Sequence, residues 1–255
     1  MHVLVALDWH VIWLRMFHPG HVFARALWAT IYISVISQVL GVLLGLLAAL
    51  MRESTLAPLR WLSAVYVWIF RGTPVLVQLF FIYTAFNLPI IHLGVWTIPS
   101  EALTAMVALS INEGAYMREI IRAGIDSIDK GQMEAAKSLG MRYGQAMRRI
   151  VLPQAARVIV PPLGNEFNNM MKTTSLAYTI GVYELFADAE QGYSQTFKSE
   201  YFIAVAFWYL VLTTVWAFVQ AWIEGRLAAS ERGDELSFRE RLAAAWNPVT
   251  AWARR

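Results

Sequence analysis

Residues 27 to 51 read LWATIYISVISQVLGVLLGLLAALM, 25 consecutive positions without a formal charge. A bilayer's hydrocarbon layer, about 30 Å thick, is crossed by roughly 20 apolar residues in α-helix, so this stretch alone is long enough to span. Residues 201 to 223 form a second uncharged run of the same kind. Composition agrees: 58% of the 255 residues are hydrophobic and the mean hydropathy is +0.47, more apolar than a water-soluble domain of this length uses. These runs predict an all-α integral membrane protein.

Three weaker segments lie between them. Residues 61–86 are apolar but broken by Arg71, Gly72, Thr73 and Pro74, and Pro74 removes a backbone donor, which predicts one long bent span. Residues 99–121 begin apolar and then meet Asn112, Glu113, Arg118 and Glu119. Residues 154–176 carry Pro161, Pro162, Asn165, Glu166, Asn168, Asn169 and Lys172, which hydropathy alone would reject. However, Asn165, Asn169 and Lys172 recur at i, i+4 and i+7, gathering polar groups on one helical face and leaving Phe167, Met170 and Met171 for packing. Such a helix crosses when its polar face meets protein or water, and the adjoining Pro-Pro pair predicts a break that frees carbonyls for a ligand.

About five transmembrane helices follow, and the basic residues orient them. Of 21 lysines and arginines, 14 fall in the segments after the first, third and fifth spans and two more, Arg118 and Arg157, at the adjoining span ends, which makes 16 on the side that short cytoplasmic loops occupy. The N-terminus is therefore expected outside and the C-terminus inside the inner membrane. Residues 1–26 read as an interfacial segment with Trp9, Trp13, Phe17 and Phe23 and without a removable signal peptide, 27–225 as the transmembrane domain, and 226–255 as a cytoplasmic tail.

Zero cysteines exclude disulfides, thiolate metal sites and a cysteine nucleophile, and the five histidines lack the helical pairing of a zinc site. No G-x-x-x-x-G-K-[ST] phosphate loop occurs, so ATP is not cradled by this chain in the usual way. No metal, no cofactor in this chain and no nucleic-acid partner is expected.

The segment between the third and fourth spans reads Gly131-Gln132-Met133-Glu134-Ala135-Ala136-Lys137-Ser138-Leu139-Gly140, then nine residues, then Ile150-Val151-Leu152-Pro153. Its Ala, Glu, Lys, Met and Leu favour helix, and Gly140 offers a stop. A short exposed helix results, with Met133, Ala136 and Gly140 on one side as a surface for a partner groove. This spacing resembles the permease subunits of binding-protein-dependent ABC importers, whose cytoplasmic signature is EAA, three residues, G, nine residues and I-x-L-P. The resemblance implies that Glu134, Ala135, Ala136 and Gly140 form the coupling helix that docks into a separate ATPase subunit.

Ala115-Tyr116, Glu119, Arg122-Ala123-Gly124, Arg71-Gly72-Thr73-Pro74 and Lys172-Thr173-Thr174-Ser175-Leu176 are similar to the polar amino-acid branch of that family. Thr173 stands where the branch commonly has an acidic residue, and Glu113 where a small polar one is usual. The resemblance implies one half of a dimer, its second permease half identical or homologous, with two cytoplasmic ATP-binding subunits and an extracytoplasmic amino-acid-binding protein.

Ionisable groups inside spans cost at least about 2.5–3.5 kcal/mol near the bilayer centre, so they face pathways or partners. A zwitterionic amino acid needs donors for its carboxylate and acceptors for its ammonium, which makes Glu166, Asn169, Thr174, Ser175, Tyr116 and Glu113 the candidate substrate pathway. Two other classes fit parts of the pattern: an autonomous ion-coupled secondary transporter using Glu113 or Glu166 as a proton relay, and a membrane-embedded enzyme with a carboxylate pair. The second lacks a histidine in the spans, a metal cluster and a G-x-S-x-G nucleophile elbow.

Overall fold

A computed structural model describes residues 7–94 and 96–232, with side chains described as far as 227. Residues 1–6 of the interfacial segment and 233–255 of the cytoplasmic tail lie outside the described residues. The chain forms α1 (Trp9–Phe17), α2 (His21–Arg52), α3 (Ala57–Gly72), α4 (Val75–Ala85), a hairpin of β1 (Ile91–Leu93) and β2 (Trp96–Ile98), α5 (Ser100–Asp126), α6 (Lys130–Ser138), α7 (Tyr143–Ala146), a π-helical turn (Met147–Val151), α8 (Leu152–Thr173), a 3-10 segment (Thr174–Ile180), α9 (Leu185–Thr196) and α10 (Glu200–Arg232). By length and composition α2 and α10 each suffice to cross a membrane, and α3 with α4 make a third if the pair is one span. Helices α5 and α8, which hold the expected spans 99–121 and 154–176, do not qualify on composition.

Two compact units divide the chain: residues up to 118 with Asn169–Leu212, and Glu119–Asn168 with the chain from Thr213. In the first unit, Ile33 of α2, Leu79 and Ile82 of α4, Ala105, Met106 and Leu109 of α5, and Ile180 form the core. Helix α2 passes α5 through glycines. A Cβ at Gly41 would stand 2.7 Å from the Cβ of Glu113, one at Gly45 would collide with Met117 and approach the Arg118 nitrogen to 2.8 Å, and one at Gly114 would meet Leu44 at 2.8 Å. Gly41-x-x-x-Gly45 is a small-residue seam of the kind that lets membrane helices approach to backbone contact.

The bend expected within 61–86 falls at Thr73–Pro74, where α3 and α4 meet at 108°. Proline alone explains a kink, and neighbouring amides account for the sharper turn. The Nε2 of Gln78, a residue only 6% exposed, donates to the carbonyls of Phe70 and Thr73, both at 3.0 Å. Asn112 Nδ2 of α5 donates to Phe70 O at 3.0 Å and to Gln78 Oε1 at 2.9 Å. The carbonyls released by the break are thereby satisfied away from water.

Also in the first unit, Glu184 is fully buried and caps α9 by accepting from the Ala187 nitrogen at 3.0 Å. Its other oxygen accepts from Tyr209 OH at 2.7 Å and from Thr30 Oγ1 at 3.4 Å, tying α9 to α10 and α2. Helix α1 is pinned through Asp8, whose backbone nitrogen donates to Glu200 Oε1 at 2.7 Å and whose carboxylate meets Lys198 Nζ at 2.7 Å. That bond from the Lys198 ammonium holds the Asp8 carboxyl below its ordinary range.

In the second unit α8 runs unbroken through Pro161 and Pro162, so the expected break there is absent. Side chains of α10 bond carbonyls at and just beyond the prolines: Gln220 Nε2 donates to Pro161 O at 3.2 Å and Trp216 Nε1 to Gly164 O at 2.8 Å. Phe167 packs edge-on to Trp216 at 4.4 Å.

The glycine seam predicts that Gly45→Val lowers the melting temperature of the purified protein, since overpacking at such a contact costs about 1–3 kcal/mol. Gly72→Ala, where an added Cβ meets nothing within 4 Å, leaves it within error.

Candidate functional site

The EAA segment begins with Asp129, whose side chain caps α6 by accepting from Gly131 N at 2.6 Å. At the other end Gly140 has φ +81°, a left-handed conformation that glycine adopts without steric cost. Gly140 N donates to Lys137 O at 2.9 Å and Met141 N to Ala136 O at 3.1 Å, so the last carbonyls of α6 are closed by a Schellman turn. The chain then reverses into α7 and the π turn, which fill the nine-residue gap before Ile150.

This geometry sorts the segment's residues into two sets. Glu134, Ala135 and Gly140 are exposed, whereas Ala136 is 1% exposed and Met133 half-buried. Ala136 is thus turned into its own unit, and the expected surface of Met133, Ala136 and Gly140 is not presented outward. Instead the outermost apolar groups are Leu139, 84% exposed, and Tyr143, 61% exposed. Lys137 Nζ lies 5.8 Å over the Tyr143 ring. Sequence reading missed both; a leucine placed just before a left-handed glycine at a helix end was the available signal. Arg148 and Arg149 line a basic hollow of about 620 Å³ with Gly144 and Gln145.

The pathway candidates are placed as follows. In α8, Asn165, Asn169 and Lys172 are exposed along one face, while Met170 and Met171 are each 4% exposed, as the helical spacing predicts. Glu166 is half-buried in the second unit. Within the first unit, Tyr116 lies half-buried under the Arg71 guanidinium, 5.3 Å from its ring centre. Glu113 is buried on α5 and accepts from Gln38 Nε2 at 2.9 Å. Thr174 is fully buried with its hydroxyl on Met171 O at 2.8 Å, and half-buried Ser175 bonds Lys172 O at 2.7 Å. Among the described residues no group of three or more histidine, aspartate or glutamate side chains is arranged to hold a metal.

Residues 41–229 match the family of binding-protein-dependent transport system inner membrane components, and the chain belongs to that family. It is therefore a multi-pass inner-membrane permease component. Membership leaves the ion-coupled carrier and the membrane-embedded enzyme without support.

The chain is 40% identical over 212 residues to the arginine transport system permease protein ArgU of Corynebacterium glutamicum, covering 79% of this chain and 66% of that one. It is likewise 40% identical over 224 residues to the L-cystine transport system permease protein TcyB of Bacillus subtilis, covering 87% and 92%. A solved structure described as an amino acid ABC transporter with histidines superposes with a TM-score of 0.72 at 37% identity, covering 80% of this chain and 94% of that one.

The Schellman turn predicts a graded response at residue 140. An alanine there, held at positive φ, loses about 1–2 kcal/mol of local stability, whereas asparagine tolerates the conformation. Amide hydrogen exchange across α6 should accelerate in Gly140→Ala and stay near the native rate in Gly140→Asn.

Proposed function

We propose that this chain is the membrane half of an ATP-driven importer of a polar amino acid. It crosses five times, through α2, the α3–α4 pair taken as one broken span, α5, α8 and α10, with its N-terminus outside and its C-terminus inside. The 16 basic residues on one side support that orientation. It pairs with a second permease half, identical or homologous, two cytoplasmic ATP-binding subunits that carry the ATP, and an extracytoplasmic amino-acid-binding protein. Residues 27–225 serve as the transport domain, flanked by an interfacial segment (1–26) and a cytoplasmic tail (226–255).

The exposed end of α6 carries the coupling reading. Leu139, Glu134, Ala135 and Gly140 enter the ATPase subunit, with Leu139 as the apolar anchor. Ala136 holds the helix to its own unit, so that closure of the ATPase moves α6 as a rigid lever. A buried small residue beneath an exposed leucine suits that division of labour.

On the transport side, the polar face of α8 meets water or the second half, because exposed amides and a lysine are not stable against lipid. Glu166, Asn169, Ser175 and Tyr116 line the route, and Glu113 and Thr174 brace it from within the packed helices. Relatives named for arginine and L-cystine support an amino-acid substrate, and the carboxylate of Glu166 favours a basic one.

Reconstitution with the ATPase and binding protein tests both halves. ATP-dependent uptake by the native complex is expected, with Glu134→Lys losing ATPase association. Glu166→Gln should keep association but lose roughly tenfold or more in uptake, equivalent to about 1.4 kcal/mol. Undiminished uptake by both variants contradicts the assignment.

A further inference from the structure

Helix α3 carries Trp61, Ala64, Val65 and Trp68 at i, i+3, i+4 and i+7, one continuous stripe. Both tryptophans stand out from the surface, 73% and 76% exposed. The small pair between them leaves a slot about 10 Å long, two helical turns at 1.5 Å per residue. Arg52, the last residue of α2, completes the lining of this groove of about 490 Å³. Ser63 Oγ on Ala48 O at 2.7 Å fastens α3 alongside α2 as an antiparallel pair, which puts the end of α2 beside the start of α3.

Among the described residues the charge in this groove is uncommitted. Arg60, the neighbouring guanidinium, donates to Ser54 O at 3.0 Å and Thr55 O at 2.8 Å and is held to the α2–α3 loop. Arg52 makes no hydrogen bond or ion pair with any described residue. The slot therefore has at one end a cation unpaired among the described residues, and an apolar floor between aromatic walls along its length. It lies where a membrane helix ends, the level at which tryptophans settle and lipid phosphates sit.

None of the five lining residues is acidic, so the groove offers its own arginine no counter-charge and an anion from outside complements it. The geometry points to an anionic glycerophospholipid bound in the α2–α3 groove, with its phosphate on Arg52 and one acyl chain lying across Ala64 and Val65 between Trp61 and Trp68. Arginine suits this role, because its planar fork bonds two phosphate oxygens at once while its stem stays in apolar surroundings.

The test is native mass spectrometry of the purified full chain, titrated with phosphatidylglycerol and with phosphatidylcholine of identical acyl chains. The native protein should retain phosphatidylglycerol in preference. Arg52→Gln should weaken that binding about tenfold, as loss of a charge-assisted contact does, and bring the two lipids level. Trp61→Ala with Trp68→Ala should weaken both. Equal retention of the two lipids by the native chain, or unchanged preference in Arg52→Gln, overturns the site. So does a disulfide between two permease chains carrying Trp68→Cys, which would place protein in the groove.

Discussion

In hydrocarbon, a backbone carbonyl that loses its helical partner has no water to bond, and leaving it bare costs several kcal/mol. Among the described residues, the break between α3 and α4 and the start of α9 are each met by side chains positioned for it. Gln78 and Asn112 take the carbonyls freed between α3 and α4, and Gln220 and Trp216 of α10 add bonds to the Pro161 and Gly164 carbonyls of α8. Glu184 supplies the cap at which α9 starts. Polar residues that lower the hydropathy of these segments are thus the condition for bending and running helices as this fold does.

That constraint also separates two kinds of polar residue. Gln78, Asn112 and Glu184 are consumed by the protein's own backbone or side chains, and their removal would be felt as stability. Asn169 and Lys172 lie on an exposed face of α8, where lipid cannot satisfy them. A face of that sort persists in a membrane protein only where water, cargo or another subunit reaches it. The cytoplasmic-type helix α6 shows the converse: an apolar leucine at its tip stands in the open, held by a glycine turn that fixes the chain's reversal. An aqueous surface exposes such a group at a disadvantage unless a partner covers it.

The parts of this architecture that were legible in the sequence are those set by local rules. Uninterrupted apolar runs longer than a bilayer marked α2 and α10, and the polar spacing in α8 gave the correct buried and exposed faces. Gly140 could be read as a stop because a left-handed helix end favours glycine. The 108° bend was not legible, since Pro74 announces a kink while the angle depends on Gln78 and on Asn112 of another helix. Glu184 looked ordinary outside the spans; its burial is decided by Tyr209 and by Thr30, 154 positions away. Ala136 appeared available because helical spacing gives faces but not which face turns inward. The three-residue strands of the hairpin are too short to show alternation, and the Gly41-x-x-x-Gly45 seam went unread because its meaning depends on α5, the helix that fills it.

The end of α6 is the point proposed for a separate ATPase to grip the permease. With no native cysteine in the chain, a single Leu139→Cys substitution gives an unambiguous probe in the assembled transporter. Short-span cross-linking from that thiol is predicted to join the permease to the ATP-binding subunit, with a yield that changes between nucleotide-free and ATP-bound states. A complex that hydrolyses ATP and transports normally yet gives no such adduct in either state would contradict it.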